Sequence, residues 1–257
     1  MSTEGLIAPL SPAKSLTGWV IIIDASAYTD EINSKIPNSF HLVAGLPAFG
    51  KIANIVRDLN CTRVGCLVAK GYGQEYQDLL SAHGIESSSE SIDELIPRDI
   101  EDCQVMVVRG DMPLMTKQTM LKLAGQHELM ESALTLLTVF GQSRESQVEV
   151  SRRNGVINSL VNPSSSVGSR GLKEIVSGVF AARSDLLSDS YIEAELHLDV
   201  FQLIHRLADN CGNAEIRIDA YQVTEAGEMD TINDRETLAS LEGRLRDRIR
   251  QWHMANG

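Results

Sequence analysis

The chain has 257 residues, 43% of them hydrophobic, which is enough for one large α/β domain or two small ones. Its formal net charge of −12 at pH 7 repels nucleic acid and anionic membrane surfaces. The four cysteines form no C-x-x-C pair, and no apolar stretch approaches the roughly 18 residues that a membrane span needs. We therefore expect a cytoplasmic protein with reduced thiols that binds neither nucleic acid nor a membrane.

Apolar runs predict strands, and apolar residues at helical spacing predict helices. The first 17 residues lack the features of a signal peptide, so we expect a loose leader at 1–17 and one domain at 18–257. Predicted strands lie at 19–23, 63–68, 105–108, 134–140, 176–181 and 214–220. Predicted helices lie at 48–59, 75–83, 116–124, 200–210 and 235–254. The segments 147–150 and 156–161 flank Arg153-Asn154-Gly155, which is typical of a hairpin turn. This order predicts a mainly parallel, doubly wound α/β sheet with an added antiparallel hairpin.

The segment Gly110-Asp111-Met112-Pro113 directly follows the buried run at 105–108. Ligands of open α/β sheets bind at the carboxyl edge, where this strand ends. The glycine allows another group to approach closely, and the proline fixes the chain. Asp111 is therefore the strongest candidate for a functional side chain.

The motifs occur in an order that resembles the uridyltransferase domain of bacterial bifunctional N-acetylglucosamine-1-phosphate uridyltransferases. The matching segments are 23–31 (Gly-rich loop), 36–47 (L-P-K-x-L-H-x-L-A-G-K-P), 110–114 (G-D-x-P-L), 154–157 (N-G-x-[IV]), 175–178 (I-N-T-G) and 229–235 (V-x-x-[IV]-N-[DN]-R). The likeness runs from about 20 to 252 with few gaps. It implies a nucleotide-diphospho-sugar transferase fold of the glycosyltransferase A-like type. In the family a last helix leads into a β-helical acyltransferase domain, which we do not expect here.

The resemblance implies a nucleotide-binding loop whose chemistry is altered. Two family glycines correspond to Ser26 and Tyr28, whose Cβ atoms restrict positive φ. The family arginine corresponds to Asp30 and the lysine to Asn38, and reversing one charge about 4 Å from a phosphate costs on the order of a few kcal/mol. The family's uracil-reading segment has no counterpart. The predicted loop residues are Ala25, Ser26, Ala27, Tyr28, Thr29, Asp30 and Asn38.

The same resemblance implies sugar and metal positions. The sugar-contacting positions correspond to Val148, Asn162 and Val176, and the metal pair corresponds to Asp111 and Asn233. Magnesium is expected only with bound nucleotide, whose phosphates supply further oxygen ligands. Two alternatives stay open: loop N–H groups satisfy Asp111, or Asn233 caps the last helix.

Other charged side chains have a structural as well as a functional interpretation. Asp24, Asp30 and Glu31 form either a separate cation site or a solvated acidic loop. His197 and Asp199 precede a predicted helix, which indicates an N-terminal charge arrangement rather than a catalytic dyad.

Two functions follow from the altered loop. The first is a degenerate uridyltransferase-like protein, a pseudoenzyme that binds a nucleotide or sugar phosphate or regulates a partner. The alternative is an active nucleotidyltransferase that joins UTP or another NTP to a sugar-1-phosphate and releases pyrophosphate. A glycosyltransferase activity would want a D-x-D pair after the strand at 105–108, and none follows it. The leucine stripe of the last helix predicts a core contact, a homo-oligomer interface or a protein partner.

Overall fold

The computed structural model describes residues 15–27, 29–85, 87–96, 100, 103–141, 148–161, 171–192, 199–214 and 216–257. Within these ranges eleven strands and six α-helices follow one another. The strands are β1 (Trp19–Ala25), β2 (Leu42–Val43), β3 (Leu46–Pro47), β4 (Arg63–Val68), β5 (Ser87–Ser89), β6 (Gln104–Arg109), β7 (Leu134–Gly141), β8 (Glu149–Arg153), β9 (Val156–Val161), β10 (Lys173–Arg183) and β11 (Ile218–Gln222). The helices are α1 (Ala48–Arg57), α2 (Gly73–Ala82), α3 (Lys117–Leu129), α4 (Ser184–Ile192), α5 (Val200–Asn213) and α6 (Arg235–Asn256).

The main sheet has the strand order β11-β7-β10-β6-β1-β4-β5. β1 is parallel to both β4 and β6, β4 is parallel to β5, and β11 is parallel to β7. β10 is antiparallel to both of its neighbours, β6 and β7, and it also carries the β8–β9 hairpin. The predicted mainly parallel sheet with an added hairpin is confirmed, whereas the reversed strand inside the sheet was not predicted.

Local signals predicted several element boundaries correctly. Asn154 and Gly155 both have positive φ, at 55° and 80°, which is the backbone that a two-residue hairpin turn requires. Thr116 caps α3 by accepting a hydrogen bond from the Thr119 N–H. One prediction was wrong: the strand predicted at 214–220 begins at Ile218, because α5 continues to Asn213. The helix α4 was not predicted.

The sheet is covered by helices on both faces, as the doubly wound prediction requires. Odd-numbered residues of β1 belong to an apolar cluster that includes residues of α1, α2 and α3, while Val20 and Ile22 belong to a second cluster that includes residues of α4 and α5. Every residue of β1 is buried, because a central parallel strand is covered on both sides.

The last helix, α6, forms part of a third apolar cluster at the edge of the sheet. Leu241 and Leu245 pack there with residues of the β2 region, the 110–115 loop and the segment before α6. Among the helices of the described ranges, none is long and apolar enough to span a bilayer.

Candidate functional site

The carboxyl ends of β1 and β6 place Asp111 beside the tip of the first strand. Asp24 lies next to Arg109 in the parallel register, and the Gly110 N–H donates to the Asp24 carbonyl at 2.7 Å. A Cβ at Gly110 would lie 3.2 Å from that carbonyl oxygen, so glycine permits the close approach of the two chains. Asp111 is the next residue, so the sequence placed it correctly.

The Asp111 carboxylate is bound by the guanidinium of Arg109, the last residue of β6. Arg109 Nε donates to Oδ1 at 2.9 Å and Arg109 Nη2 donates to Oδ2 at 2.6 Å. The Asp111 side chain is 1% exposed and that of Arg109 is 10% exposed, so the pair is buried. This two-point ion pair is the strongest geometry between these groups. Sequence reasoning missed Arg109, although the Arg-x-Asp spacing at the end of a strand was visible.

Arg109 lies in a slot formed by β10 and the start of α5. Gly178 has φ +86°, and a Cβ at that position would lie 2.9 Å from Arg109 Cδ. The Phe201 ring centroid is 5.7 Å from Arg109 Cζ, within the range of a cation–π contact. Asp199 caps α5 by accepting hydrogen bonds from the N–H groups of Phe201 and Gln202. The predicted N-terminal charge arrangement is confirmed at Asp199, and His197 lies outside the described residues.

Three carboxylates surround this single guanidinium. Burial alone would lower the pKa of Arg109, but Asp111, Asp24 and Asp199 hold that pKa above its ordinary value. Burial also raises the pKa of Asp24, against a hydrogen bond from Ser26 and the positive charge of Arg109. Arg109 is therefore charged at every pH at which the protein is folded.

The predicted nucleotide loop lies at this edge, and several of its polar groups bond within the protein. Ser26 donates to Asp24 Oδ1 from its N–H at 3.0 Å and from its Oγ at 2.5 Å. The Ala27 carbonyl accepts from the Asn38 N–H at 3.1 Å, and the Ala25 carbonyl accepts from Ser39 Oγ at 3.2 Å. The structure therefore brings Asn38 to the loop, as the resemblance implied.

The remaining loop residues have their own contacts. Thr29 Oγ1 accepts a hydrogen bond from the Glu31 N–H at 3.3 Å, and Asp30 and Glu31 begin a 3-10 helix, Asp30–Ile32. Tyr28 lies outside the described residues. The separate cation site at Asp24, Asp30 and Glu31 stays a prediction. The Asp24 carboxylate accepts hydrogen bonds from Ser26.

Two buried polar atoms beside the loop have no hydrogen-bond partner among the described residues. They are Asn38 Oδ1 and His41 Nε2. Asn38 is 2% exposed, and the resemblance implies that it stands at the position of the family lysine. Buried polar groups are nearly always paired, which makes these atoms candidates for contact with a ligand or water.

The described sugar positions lie in the core. Val148 and Val176 are each 2% exposed and belong to the apolar cluster on the α4–α5 face of the sheet. The Val176 N–H donates to the Val148 carbonyl at 2.9 Å. Their side chains pack against neighbours, and Asn162 lies outside the described residues. Sugar binding by these residues stays a prediction.

Asn233 lies on a segment that is bonded to Asp111 through the backbone. The Ile232 N–H donates to the Asp111 carbonyl at 3.2 Å. Thr231 Oγ1 donates to Asn233 Oδ1 at 3.1 Å. The cap of α6 is Asp234, which accepts from the Thr237 N–H at 2.7 Å. The alternative that Asn233 caps the last helix is therefore wrong by one residue.

The residues at the predicted metal position do not fit a magnesium ion. Both Asp111 oxygens already accept hydrogen bonds from a guanidinium, and Asn233 Oδ1 accepts one from Thr231. A magnesium ion on Asp111 would compete with these hydrogen bonds, and it would also lie next to the positive charge of Arg109. In the described part of the chain, no group of three or more His, Cys, Asp or Glu side chains is placed to hold a metal ion.

A cavity of about 700 Å³ opens on the Asn233 side of this edge. It lies between the ends of β7 and β10 and the first turns of α6. Polar residues from Asp230 to Thr237 line one wall, and Phe140 and Ile175 line the other. Asp24 and Asp111 do not line this cavity.

The main sheet contains the reversed strand β10, and a Gly-Asp-x-Pro turn follows β6 at the carboxyl edge of the sheet. This is an α/β fold of the nucleotide-diphospho-sugar transferase type. Two solved structures share this fold. CMP:2-keto-3-deoxy-manno-octonic acid synthetase complexed with CTP aligns with a TM-score of 0.65 at 14% identity, over 91% of this chain and 100% of that chain. HddC from Yersinia pseudotuberculosis aligns with a TM-score of 0.62 at 14% identity, over 88% and 99%.

The sequence itself is similar to bifunctional GlmU proteins, which confirms the resemblance seen in the motifs. It is 28% identical to GlmU of Staphylococcus epidermidis and 26% identical to GlmU of Pelotomaculum thermopropionicum, in each case over 92% of this chain. The chain spans 54% of the length of those two relatives. No family model matches the sequence.

Proposed function

We propose that this protein has lost magnesium-dependent nucleotidyl transfer and binds a nucleotide or a sugar phosphate at the carboxyl edge of its sheet. The observation that carries this proposal is the two-point pair between Arg109 and Asp111, which occupies both oxygens of the predicted metal carboxylate. A metal ion, when bound in an active relative, would neutralise the charge that develops on the phosphates. In this chain the predicted metal carboxylate, Asp111, is already paired with Arg109.

The nucleotide loop supports the same proposal. The Ser26 N–H donates to Asp24 and is not free for a phosphate oxygen. The two positions that carry cations in the family carry Asp30 and Asn38. An aspartate in place of an arginine repels a triphosphate, so weak triphosphate binding is expected.

The second candidate function is an active nucleotidyltransferase that joins an NTP such as UTP to a sugar-1-phosphate and releases pyrophosphate. The hydrogen bond from Ile232 to Asp111 favours it, because it holds the two family metal positions on adjacent segments. The GlmU relatives favour it as well.

A binding and turnover experiment separates the two functions. Calorimetry would measure the binding of UTP, CTP and UDP-N-acetylglucosamine with and without Mg²⁺, while a coupled assay would measure pyrophosphate release with several hexose 1-phosphates. We expect binding of at least one ligand, unchanged by Mg²⁺, and no pyrophosphate. Pyrophosphate release that Asp111→Asn abolishes would establish the second function. A folded protein that binds none of these ligands would contradict both.

Restoring the family residues tests the loop directly. The combined variant Ser26→Gly, Tyr28→Gly, Asp30→Arg and Asn38→Lys should tighten UTP binding by about tenfold or more, since it returns two cations to the phosphates. The exposed Glu131→Arg variant at the end of α3 makes a charge change equal to that at Asp30 and should leave affinity unchanged. Unchanged affinity in the combined variant would show that this loop does not bind the nucleotide.

A partner or a second copy of the chain is proposed at the end of α6. Ile249, Trp252 and Met254 are 42%, 62% and 78% exposed there. Sedimentation velocity of the protein and of Trp252→Glu would test this surface. We expect a larger species that the substitution dissociates if the surface joins two copies, and a monomer in both samples if it joins a different protein.

A further inference from the structure

We infer that Arg109 is the resident cation of this site, a built-in guanidinium that takes the place of a divalent ion on Asp111 and keeps such ions out. This inference goes beyond the proposed function, because it concerns divalent binding in the absence of any nucleotide. It rests on three observations: the two-point contact, the slot that holds the arginine, and the surrounding carboxylates.

The two-point contact pairs both oxygens of the carboxylate with one fixed cation. Arg109 donates one N–H to each Asp111 oxygen, at 2.9 and 2.6 Å. A divalent ion would have to displace these hydrogen bonds and leave the guanidinium buried beside a second positive charge. Arginine does not lose its proton in a protein, so it cannot relieve that repulsion by becoming neutral.

The slot makes this arrangement part of the fold rather than one rotamer among several. Gly178 leaves room for the arginine stem, since a Cβ there would lie 2.9 Å from Arg109 Cδ. Val200 and Phe201, at the start of α5, close the slot, with Phe201 against the guanidinium. Residues from two separate elements, β10 and α5, therefore fix the position of one side chain.

The surrounding charge explains why a cation is needed at all. Asp24, Asp111 and Asp199 all act on the guanidinium of Arg109. Asp24 and Asp111 are 5% and 1% exposed, and without a cation these carboxylates would be buried close together. A bound metal ion or a fixed arginine can each balance them, and this chain has the arginine.

An internal control lies at the other edge of the sheet. Arg183 and Asp185 have the same Arg-x-Asp spacing, with Arg183 Nε 3.0 Å from Oδ1 and Nη2 2.7 Å from Oδ2. Their side chains are 45% and 55% exposed. Removing this arginine leaves its carboxylate in water, so it should create no divalent site.

The experiment measures Mn²⁺ binding without nucleotide, by electron paramagnetic resonance of the free ion and by the shift in Tm. Four proteins are compared: the natural protein, Arg109→Leu, Arg109→Leu with Asp111→Asn, and Arg183→Leu. We expect no binding by the natural protein or by Arg183→Leu. Arg109→Leu should gain Mn²⁺ affinity by about tenfold or more, with a Tm that rises on adding the ion, and the double variant should lose this gain.

Two results would overturn the inference. One is Mn²⁺ binding by the natural protein that Asp111→Asn removes. The other is a folded Arg109→Leu protein with no gain in Mn²⁺ affinity. If that variant does not fold, Arg109→Gln replaces it, because glutamine keeps one donor but no charge, and the same gain is expected.

Turnover separates this inference from the proposed function. Pyrophosphate release without any divalent ion would overturn the proposed function and support a resident cation. Mg²⁺-dependent release that Asp111→Asn abolishes would overturn both.

Discussion

Two Arg-x-Asp pairs lie at opposite edges of the main sheet and differ mainly in their surroundings. β6 ends in Arg109 and β10 ends in Arg183, and each arginine binds the aspartate two residues later through Nε and Nη2. Because β10 is antiparallel to β6, the two pairs lie at opposite edges. The hydrogen-bond distances agree within 0.1 Å, so the two pairs have the same geometry.

Burial separates the two pairs in energy and in function. The side chains of Arg109 and Asp111 are 10% and 1% exposed, whereas those of Arg183 and Asp185 are 45% and 55% exposed. An exposed pair contributes little to stability because water screens it. Removing one partner of a buried pair leaves an unpaired charge in the core. One Arg-x-Asp pair is therefore a surface feature, and the other is buried at the predicted metal position.

The largest expected effect comes from removing each arginine in turn. Arg109→Leu should lower the free energy of unfolding by roughly 3–5 kcal/mol at pH 7, because Asp111 keeps its charge and loses its partner. Arg183→Leu should lower it by less than about 1 kcal/mol. Urea unfolding followed by circular dichroism measures both, and equal losses would break the comparison.

The edge of the sheet that carries Arg183 also has a buried titratable group, His127. We expect this group to dominate the loss of stability in acid. Burial, assisted by Arg183, lowers its pKa from 6.5 to about 4. The neutral ring is bonded to Thr135 and Gln104, both at 2.8 Å. The neutral ring contributes fully to the free energy of unfolding above pH 6.5. This contribution is lost as the pH falls toward 4, and the loss is roughly 2–3 kcal/mol.

Unfolding between pH 4 and 7 measures this loss. His127→Gln should flatten the dependence of the free energy of unfolding on pH. Arg183→Leu should move the midpoint of that dependence slightly upward in pH. A curve for His127→Gln as steep as that of the natural protein would assign the acid sensitivity to other groups.

The slot that holds Arg109 predicts a smaller loss of stability for an alanine substitution at Gly178. Gly178 and Gly71 have nearly the same φ, +86° and +82°, but a Cβ at Gly71 meets nothing within 4 Å. Gly71→Ala should cost about 1 kcal/mol for the left-handed backbone, and Gly178→Ala should cost about 1 kcal/mol more. In the Arg109→Leu background this extra cost should shrink, since the clashing Cδ is replaced. An extra cost that persists there would place the clash elsewhere.

The smallest expected effect is at Asp24. Burial raises its pKa above the ordinary 3.8, so its ionised form opposes folding once the pH exceeds that value. Asp24→Asn keeps an acceptor for Ser26 and should raise the free energy of unfolding by less than about 1 kcal/mol at pH 7, and not at pH 3. A clear loss of stability at pH 7 would show instead that the Asp24 charge is needed to hold Arg109.

Features that depend on neighbours in the chain were predictable from the sequence. Alternating apolar runs determined the strand and helix order, Asn154 and Gly155 determined the hairpin turn, and Thr116 determined the start of α3. The position of Asp111 also followed, because a carboxylate directly after a parallel strand must lie at the carboxyl edge. These signals are short-range, since capping, turns and periodicity act within a few residues.

Only the tertiary structure decided what Asp111 binds. The Arg-x-Asp spacing occurs at both edges of the sheet, so spacing alone does not distinguish a buried pair from an exposed one. The reversal of β10 brings Gly178 to Arg109, and the start of α5 adds Phe201. Burial and charge balance depend on such contacts between distant segments. For that reason the sequence determined the position of Asp111 in the fold, while the packing determined which side chain pairs with it.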